Sequence, residues 1–411
     1  MTPSAIDTER ALVFRDLEEA GTLTRVKHGA VFEYTDAFWS KHAPAGRGIA
    51  VHLPCTQRRH EIRGSNLHPF FAGLLPEGIR LRALLRSAKT SEDDLFSLLI
   101  AGGSDTVGDV AAVLPGHVPV DDAPTLKAAR LEDSSFAELL AQSLSRIDQR
   151  SDAVVPGVQE KISASMVSFP VGTLSRRAAY ILKLNPADKP GLVENEHFFM
   201  RMAKDCGLSA AETKLVRDRD GATGLLVSRF DRRWSKAAGR LERVHQEDGC
   251  QLLDRYPADK YRIPTAELAE ALSLCAAPLQ QRLRLVELLT FSWLICNGDL
   301  HAKNVSVIYQ TAISGYELSP AYDLISTLPY GDRRMALKLD GKDDGWTRAL
   351  LVRFAERFGV STRAVKLSLD RLCDETAHWT SRLDELGLPA KKTADLRRTM
   401  DRRRGALGPR K

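Results

Sequence analysis

A long apolar segment that runs directly into a polar loop constrains this chain more than any other feature. The segment LRLVELLTFSWLIC (283–296) is apolar nearly all round, which is typical of a helix buried on every side. It continues into NGDLHAKNVSVIY, where four residues separate Asp299 from Asn304. We therefore expect a helical domain built around this helix, with a polar loop at the helix C-terminal end.

The composition fits a globular protein of two or three domains, since 411 residues are too many for one small domain. No run of about 18 apolar residues occurs, and the N-terminus lacks a basic segment followed by an apolar one. We thus expect neither a membrane span nor a secretory signal. The six cysteines are scattered without a C-x-x-C pair, which argues against a zinc site or a disulfide framework and predicts a cytoplasmic protein.

The net charge of +6 comes largely from the C-terminal segment KKTADLRRTMDRRRGALGPRK. Two interpretations remain open for it. The segment is either a solvated helix and tail, or an electrostatic contact with nucleic acid or an acidic partner.

The order of segments predicts an α+β chain with a bilobal, protein-kinase-like fold. Residues 1–114 mix strands with helices, and residues 115–150 hold a Pro- and Asp-rich linker followed by a helix. Residues 151–235 are strand-rich with one helix, whereas residues 236–411 are mostly helical. We expect a β-rich N-terminal subdomain followed by a kinase N-lobe and a mostly helical C-terminal lobe.

The D-x-x-x-x-N spacing within 297–304 is the one at which kinase catalytic loops hold a base and a metal ligand. Asp299 would accept or orient the proton of the attacking hydroxyl, and the amide oxygen of Asn304 would reach Mg²⁺. A hairpin turning near Ser314-Gly315 then leads to Asp323, the expected second metal ligand. Alternatively, Asp299 makes turn hydrogen bonds only. His301 is either a base by residue type or a structural residue that supports the loop.

Candidate phosphate contacts lie earlier in the chain. The segment VVPGVQEKIS (154–163) offers a glycine and a lysine after an extended stretch, which is a weak signal taken alone. Lys183 lies in the otherwise apolar strand YILKLN, where a buried charge needs a partner, and Glu196 on the next helix is the natural one. The alternative is an edge-strand lysine that points to solvent. The strand LLVSRFD leads to Phe230 and Asp231, where adenine and ribose would bind.

With these motifs the chain resembles the HipA family, the serine/threonine kinase toxins of bacterial toxin–antitoxin systems. Nearly the whole chain takes part, and the matching motifs occur in the family's order. They are FFAGLLPEG, GGSDTVGDV, VVPGVQEK, the Lys183 strand, VENEHF, LLVSRFDRRW, VHQEDGCQLL, the pair Lys260-Tyr261, NGDLHAKNVSV and LSPAYDLIS.

The resemblance implies ATP and Mg²⁺ as cofactors, Asp299 as the catalytic base, and Asn304 with Asp323 as the metal ligands. It also implies a set of nucleotide contacts in the phosphate loop, the following strand, the hinge, the catalytic loop and the metal-binding segment. These are Pro156, Gly157, Val158, Gln159, Glu160, Lys161, Lys183, Ser228, Arg229, Phe230, Asp231, His301, Ala302, Lys303, Asn304, Tyr322, Asp323, Leu324 and Ile325.

The resemblance further implies transfer of the ATP γ-phosphate to a serine or threonine of a protein. The implied target is an aminoacyl-tRNA synthetase, whose modification would inhibit translation and growth. The implied partner is a helix-turn-helix antitoxin of HipB type, so that DNA is contacted only through it. Two rivals are a small-molecule phosphotransferase and a catalytically silent module that binds an antitoxin or DNA.

One position departs from the family pattern. Family members commonly carry a serine three residues before the loop glycine, and its autophosphorylation inactivates the enzyme. Val154 stands there in this chain, although Ser151, Ser163 and Ser165 lie nearby. We expect this route of self-inactivation to be absent or to use another serine.

Overall fold

The computed structural model describes residues 8–63, 67–120, 133–147, 167–172, 177–186 and 188–408. The chain forms two compact units. Unit 1 comprises Met1–Leu184, Val216–Gly224 and Asp231–Pro257, and unit 2 comprises Asn185–Leu215, Leu225–Phe230 and Ala258–Lys411.

The strands are, in chain order, β1 (Arg10–Arg15), β2 (Glu18–Val26), β3 (Gly29–Tyr34), β4 (Arg59–Arg63), β5 (Val110–Val113), β6 (Val167–Gly172), β7 (Ala179–Leu184), β8 (Thr213–Arg217), β9 (Thr223–Ser228), β10 (Arg232–Ser235), β11 (Arg240–Arg243), β12 (Gln246–Asp248), β13 (Ser306–Gln310) and β14 (Gly315–Leu318). The expectation of a mostly helical 236–411 overlooked β11 and β12.

The helices are α1 (Asp36–His42), α2 (Pro69–Gly73), α3 (Gly78–Ala88), α4 (Leu95–Ala101), α5 (Phe136–Ile147), α6 (Leu192–Asp205), α7 (Gly249–Leu252), α8 (Thr265–Ala271), α9 (Pro278–Leu294), α10 (Arg348–Arg357), α11 (Thr362–Thr380) and α12 (Ala390–Leu407). Within the part of the chain that the structure describes, no helix combines the length and the apolar character that crossing a membrane requires.

The main sheet of unit 1 has the strand order β4-β3-β2-β1-β5, with antiparallel neighbours throughout. Alternate residues of β3 are buried, as expected for a strand with one face on a core. Phe32 on this face packs edge-on against Tyr34 and Phe71, with ring centroids 4.7 and 5.7 Å apart. The burial of these rings supplies much of the stabilisation of the sheet.

Unit 1 also contains the segment Asp231–Pro257, which is far from the main sheet in sequence. The backbone N–H of Val51 donates to Glu247 at 2.9 Å. The side chain of Gln251 donates to the Phe70 carbonyl at 2.9 Å, and the Tyr256 hydroxyl donates to the Leu67 carbonyl at 2.8 Å. Side-chain hydrogen bonds therefore hold this segment to the N-terminal part of the chain.

Unit 2 is organised around α9, whose residues from Leu288 to Leu294 are all buried. This confirms the predicted buried helix. The predicted hairpin is confirmed too, since β13 and β14 pair antiparallel and the turn closes at Ser314 with a φ of 47°. The hairpin carries the chain from the end of α9 towards Asp323.

The basic C-terminal segment forms α12. Four of its arginines make ion pairs within unit 2: Arg397 with Asp384 at 2.9 Å, Arg398 with Asp395 at 3.2 Å, Arg403 with Asp344 at 2.9 Å, and Arg404 with Asp401 at 2.7 Å. Part of the positive charge of this helix is therefore neutralised locally.

Candidate active site

The loop after α9 is held by Asn297, a fully buried residue. Its backbone N–H donates to the Ser292 carbonyl at 2.8 Å, and its side-chain oxygen accepts the backbone N–H of Asp299 at 3.0 Å. Its amide nitrogen also lies 3.5 Å from the backbone oxygen of Asp323. A single amide side chain thus links the backbone of the proposed base to that of the proposed metal ligand.

Gly298 is tightly enclosed on the other side of this loop. Its N–H donates to the Thr327 hydroxyl oxygen at 2.8 Å, and that hydroxyl lies 3.0 Å from the Cys296 carbonyl. A Cβ atom at position 298 would lie 2.7 Å from the Arg334 carbonyl oxygen and would also overlap the Asp332 carboxylate. The close backbone approach therefore requires glycine at this position.

The carboxylate of Asp299 is partly exposed and accepts a hydrogen bond from the Tyr261 hydroxyl, with 2.8 Å between Oη and Oδ1. The Tyr261 ring packs edge-on against the His301 ring, with centroids 5.1 Å apart. The neighbouring Lys260 carbonyl accepts the N–H of Ala302 at 3.1 Å. Residues 260–261 are therefore bonded to the predicted catalytic loop at two points.

The proposed metal ligands lie next to each other. Nδ2 of Asn304 lies 3.3 Å from Oδ2 of Asp323, and Asn304 is buried. Asp323 has a φ of 55°, in the left-handed region that Asp and Asn tolerate better than other non-glycine residues. A carboxylate and a carboxamide side by side form an oxygen donor set that suits Mg²⁺, which completes its shell with water and phosphate oxygens.

Tyr322 joins this loop to the segment that contains the proposed metal ligand Asp323. Its hydroxyl donates to the Lys303 carbonyl at 2.6 Å and lies 2.6 Å from the Ser306 hydroxyl. Its ring lies 5.6 Å from that of Phe230, measured between centroids. The ring of the predicted hinge residue Phe230 thus lies beside the segment that leads to Asp323, within unit 2.

Helix α6 supports the segment that follows Asp323. The amide of Asn195 donates to the Ser326 carbonyl at 3.1 Å and accepts the Ser326 N–H at 2.8 Å. Asn195 is buried, and the adjacent Glu196 is fully buried. These two hydrogen bonds fix Ser326. Leu324 and Ile325, both predicted nucleotide contacts, therefore lie between Asp323 and a residue held by α6.

The hinge residues differ in their surroundings. The backbone N–H of Ser228 donates to the Glu212 carbonyl at 2.8 Å, while Arg229 and Phe230 are partly exposed. The Asp231 carboxylate is buried within unit 1, where it accepts the Gly108 N–H at 3.0 Å and an Arg232 N–H at 2.9 Å. Its contact with ribose stays a prediction.

Lys183 is buried on β7, opposite Ser168 on β6. This burial speaks against the alternative of a lysine that points to solvent. The predicted phosphate loop lies outside the described residues, as do Val154 and the serines around it. Its members are Pro156, Gly157, Val158, Gln159, Glu160 and Lys161.

Unit 2 therefore brings together Asp299, Asn304 and Asp323, the three residues expected to carry the chemistry. The sequence interpretation missed their support: Asn297, Thr327 and Asn195 carried no signal of their own. Tyr261 was noted only as part of the Lys260-Tyr261 motif, and the sequence predicted no role for it.

Comparison with known proteins identifies the family. The model of the HipA-like C-terminal domain matches residues 153–380, more than half of the chain, and the HipA N-terminal domain model matches residues 11–113. The putative kinase Y4mE of Sinorhizobium fredii is 29% identical over 400 residues, which cover 91% of each chain. The serine/threonine-protein kinase toxin HipA of Shewanella oneidensis is 30% identical over 301 residues, 67% of each chain.

A solved structure shares the fold. It is the complex of HipA, HipB and operator DNA from the Shewanella oneidensis MR-1 toxin–antitoxin system. The TM-score is 0.71, with 22% identity and 97% of each chain covered. The expected α+β, kinase-like fold is therefore confirmed.

Proposed function

The chain belongs to the HipA family, and on that basis we propose that it is an ATP- and Mg²⁺-dependent serine/threonine protein kinase. The observation that carries the proposal is that Asn297 links the backbones of Asp299 and Asp323, while Asn304 lies beside the Asp323 carboxylate. Kinase chemistry needs a carboxylate for the acceptor hydroxyl and two oxygen ligands for the metal, held at short range. The backbone bonds of Asn297 and the Asn304–Asp323 contact support such an arrangement.

In this proposal Asp299 accepts or orients the proton of the attacking serine or threonine hydroxyl. The side-chain oxygens of Asn304 and Asp323 hold Mg²⁺. When bound, the ion neutralises charge on the phosphate groups. Lys303, in the same loop, contributes positive charge near the transferring group.

The remaining predicted contacts surround the nucleotide in the proposed enzyme. Residues 156–161 and Lys183 contact the phosphates, and Glu196 is the proposed partner of Lys183. The backbone of Ser228–Phe230 binds adenine, and Asp231 is the proposed ribose contact. Residues 301–304 and 322–325 complete the site, in line with the closeness of Tyr322 to Phe230.

The name of the Shewanella relative, a serine/threonine-protein kinase toxin, supports a growth-inhibiting role. We propose an aminoacyl-tRNA synthetase as the target class, so that phosphorylation would arrest translation. The shared fold with a chain solved together with HipB and operator DNA supports a HipB-type helix-turn-helix antitoxin as partner. DNA would then be contacted through the antitoxin.

The direct test follows phosphate transfer from labelled ATP in the presence of Mg²⁺, with dephosphorylated casein as acceptor and ADP release as a second readout. We expect Asp299→Asn to lower turnover by a factor of about 10² to 10⁴ while nucleotide binding is retained. Asp374→Asn is a matched control, because Asp374 is an exposed residue on α11, and it should leave turnover unchanged. Full activity of the Asp299→Asn protein would refute the proposal.

The target class is tested by controlled expression of the wild type and of Asp299→Asn in a bacterial host. We expect growth arrest with the wild type alone, together with a new phosphoserine or phosphothreonine on an aminoacyl-tRNA synthetase. Arrest by both proteins would instead favour a silent binding module. Phosphorylation of a metabolite without any protein phosphorylation would favour the small-molecule phosphotransferase.

A further inference from the structure

Tyr261 is an exposed aromatic residue bonded to the proposed catalytic base. Its side chain is 52% exposed, yet its hydroxyl lies 2.8 Å from Oδ1 of Asp299. None of the proposed nucleotide or metal contacts includes it. Tyr261 and the partly exposed Asp299 are therefore both open to an approaching acceptor hydroxyl.

We infer that Tyr261 is a positioning residue for the acceptor hydroxyl, an assignment that rests on the proposed kinase function. The torsion that turns an aspartate carboxylate is broad and poorly restricted by its own rotamers. The bond from the Tyr261 hydroxyl to Oδ1 sets that rotation, and thereby directs the carboxylate towards the acceptor.

The ring of Tyr261 is oriented independently of its hydroxyl. It packs edge-on against His301, and Nζ of Lys260 lies 5.5 Å from the ring centroid. The Lys260 carbonyl is tied to the Ala302 N–H at 3.1 Å. Phenylalanine at position 261 should therefore keep the ring in place and lose the bond to Asp299.

The exposed part of the ring has a second role in this inference. A tyrosine offers a large contact area at little cost in side-chain entropy, and such residues are enriched in protein interfaces. The ring edge therefore forms part of the surface that receives the acceptor segment of the protein substrate. The two roles are separable, because the hydroxyl serves orientation and the ring serves binding.

The test compares wild type, Tyr261→Phe, Tyr261→Ala and Asp299→Asn in the casein assay and in ADP release without acceptor. We expect Tyr261→Phe to lower kcat about 10-fold, since small misplacements of a catalytic group carry rate losses of this order or more. The KM for ATP should stay within about twofold. Tyr261→Ala should lower kcat similarly and also raise the KM for casein.

Two controls make the result specific. Tyr309→Phe removes a hydroxyl on β13, outside the proposed site, and should leave kcat unchanged. The double variant Tyr261→Phe, Asp299→Asn should be no slower than Asp299→Asn alone, because Tyr261 acts through Asp299. Additive losses would show that Tyr261 acts elsewhere and would overturn the inference.

The outcomes separate the inference from the function on which it rests. Normal kcat in Tyr261→Phe with an inactive Asp299→Asn overturns the positioning role and leaves the kinase proposal intact. An unchanged KM for casein in Tyr261→Ala overturns the binding role of the ring. A wild type that neither labels casein nor releases ADP, or an active Asp299→Asn protein, overturns the kinase proposal and the inference with it.

Discussion

A buried, ionised histidine in unit 1 gives the sharpest prediction about stability. Nδ1 of His245 lies 2.7 Å from Oδ1 of Asp109, and its Nε2 lies 3.0 Å from Oε1 of Glu247. All three side chains are buried. Burial by itself would lower the pKa of His245, but the attraction and hydrogen bonds of the two carboxylates outweigh it and raise the pKa to about 9.

The pKa of Asp109, the carboxylic acid that His245 contacts, is shifted in the direction that favours its charged form. Burial alone would raise the pKa of Asp109. The charge and hydrogen bond of His245 lower it, and Arg15 and Arg47 lower it further, so that the pKa lies below its usual value. Each charge therefore stabilises the other in a region closed to water.

Replacing His245 with glutamine removes the positive charge and keeps a hydrogen-bond donor of similar reach. A rise in pKa from 6.5 to about 9 corresponds to about 3 kcal/mol. Breaking a buried charge pair by removing one partner costs about 3–5 kcal/mol. We therefore expect His245→Gln to lower the free energy of unfolding of unit 1 by about 3 kcal/mol at pH 6.

The sign of the pH dependence follows from linkage. Because folding raises the pKa of His245, its contribution is complete below about pH 6.5 and is lost as the pH rises through about 9. The wild type should therefore approach the stability of His245→Gln as the pH rises. Hydrogen exchange of peptides covering 45–55 and 105–113, read by mass spectrometry at several pH values, measures this difference.

His60→Gln is the matched control. Burial lowers the pKa of His60, so its protonation penalises folding only at low pH, and its contribution should be constant between about pH 7 and 9. A difference between wild type and His245→Gln that is equally constant over this interval would refute an ionised His245.

Three further changes test the supports of the site in unit 2. Arg403→Met removes a buried guanidinium that bonds Asp344 at 2.9 Å and two backbone carbonyls, so thermal unfolding should show a loss of about 1–3 kcal/mol. Gly298→Ala forces the catalytic loop outward and should lower kcat at least about 10-fold in the casein assay with the fold retained by circular dichroism. Asn195→Ala breaks both bonds to Ser326, and urea unfolding should show a loss of about 1–3 kcal/mol.

The elements around the site could be predicted because their signals are local. The apolar segment 283–296 has no polar face, so it was expected to form a buried helix. The structure has this helix as α9, which covers Pro278–Leu294. The one helix predicted within residues 151–235 is α6, which begins at Leu192 after Gly191 with a φ of 78°. The sequence predicts such a helix better than its ends, since caps depend on geometry that composition only suggests.

The attachment of residues 231–257 to unit 1 could not be predicted from local patterns. Its bonds join positions far apart in sequence, such as Val51 to Glu247 and Arg232 to the Gly108 carbonyl at 2.9 Å. Strand and helix periodicity report burial, and say nothing about which distant backbone a side chain reaches. The resemblance to a family orders the motifs, but it does not supply these pairings.

Asp323 shows why the supporting residues escape sequence reasoning although candidates for the reactive residues can be predicted. Its candidacy as a Mg²⁺ ligand was predicted from chemistry, because this ion is bound by oxygen atoms, and its place was predicted from the hairpin. Its conformation does not follow from either, since a φ of 55° is unfavourable for a residue with a side chain and persists only where neighbours impose it. Asn297 approaches its backbone oxygen and Asn304 its carboxylate. Amide side chains of this kind can serve many partners, so their role becomes visible only when the distances are known.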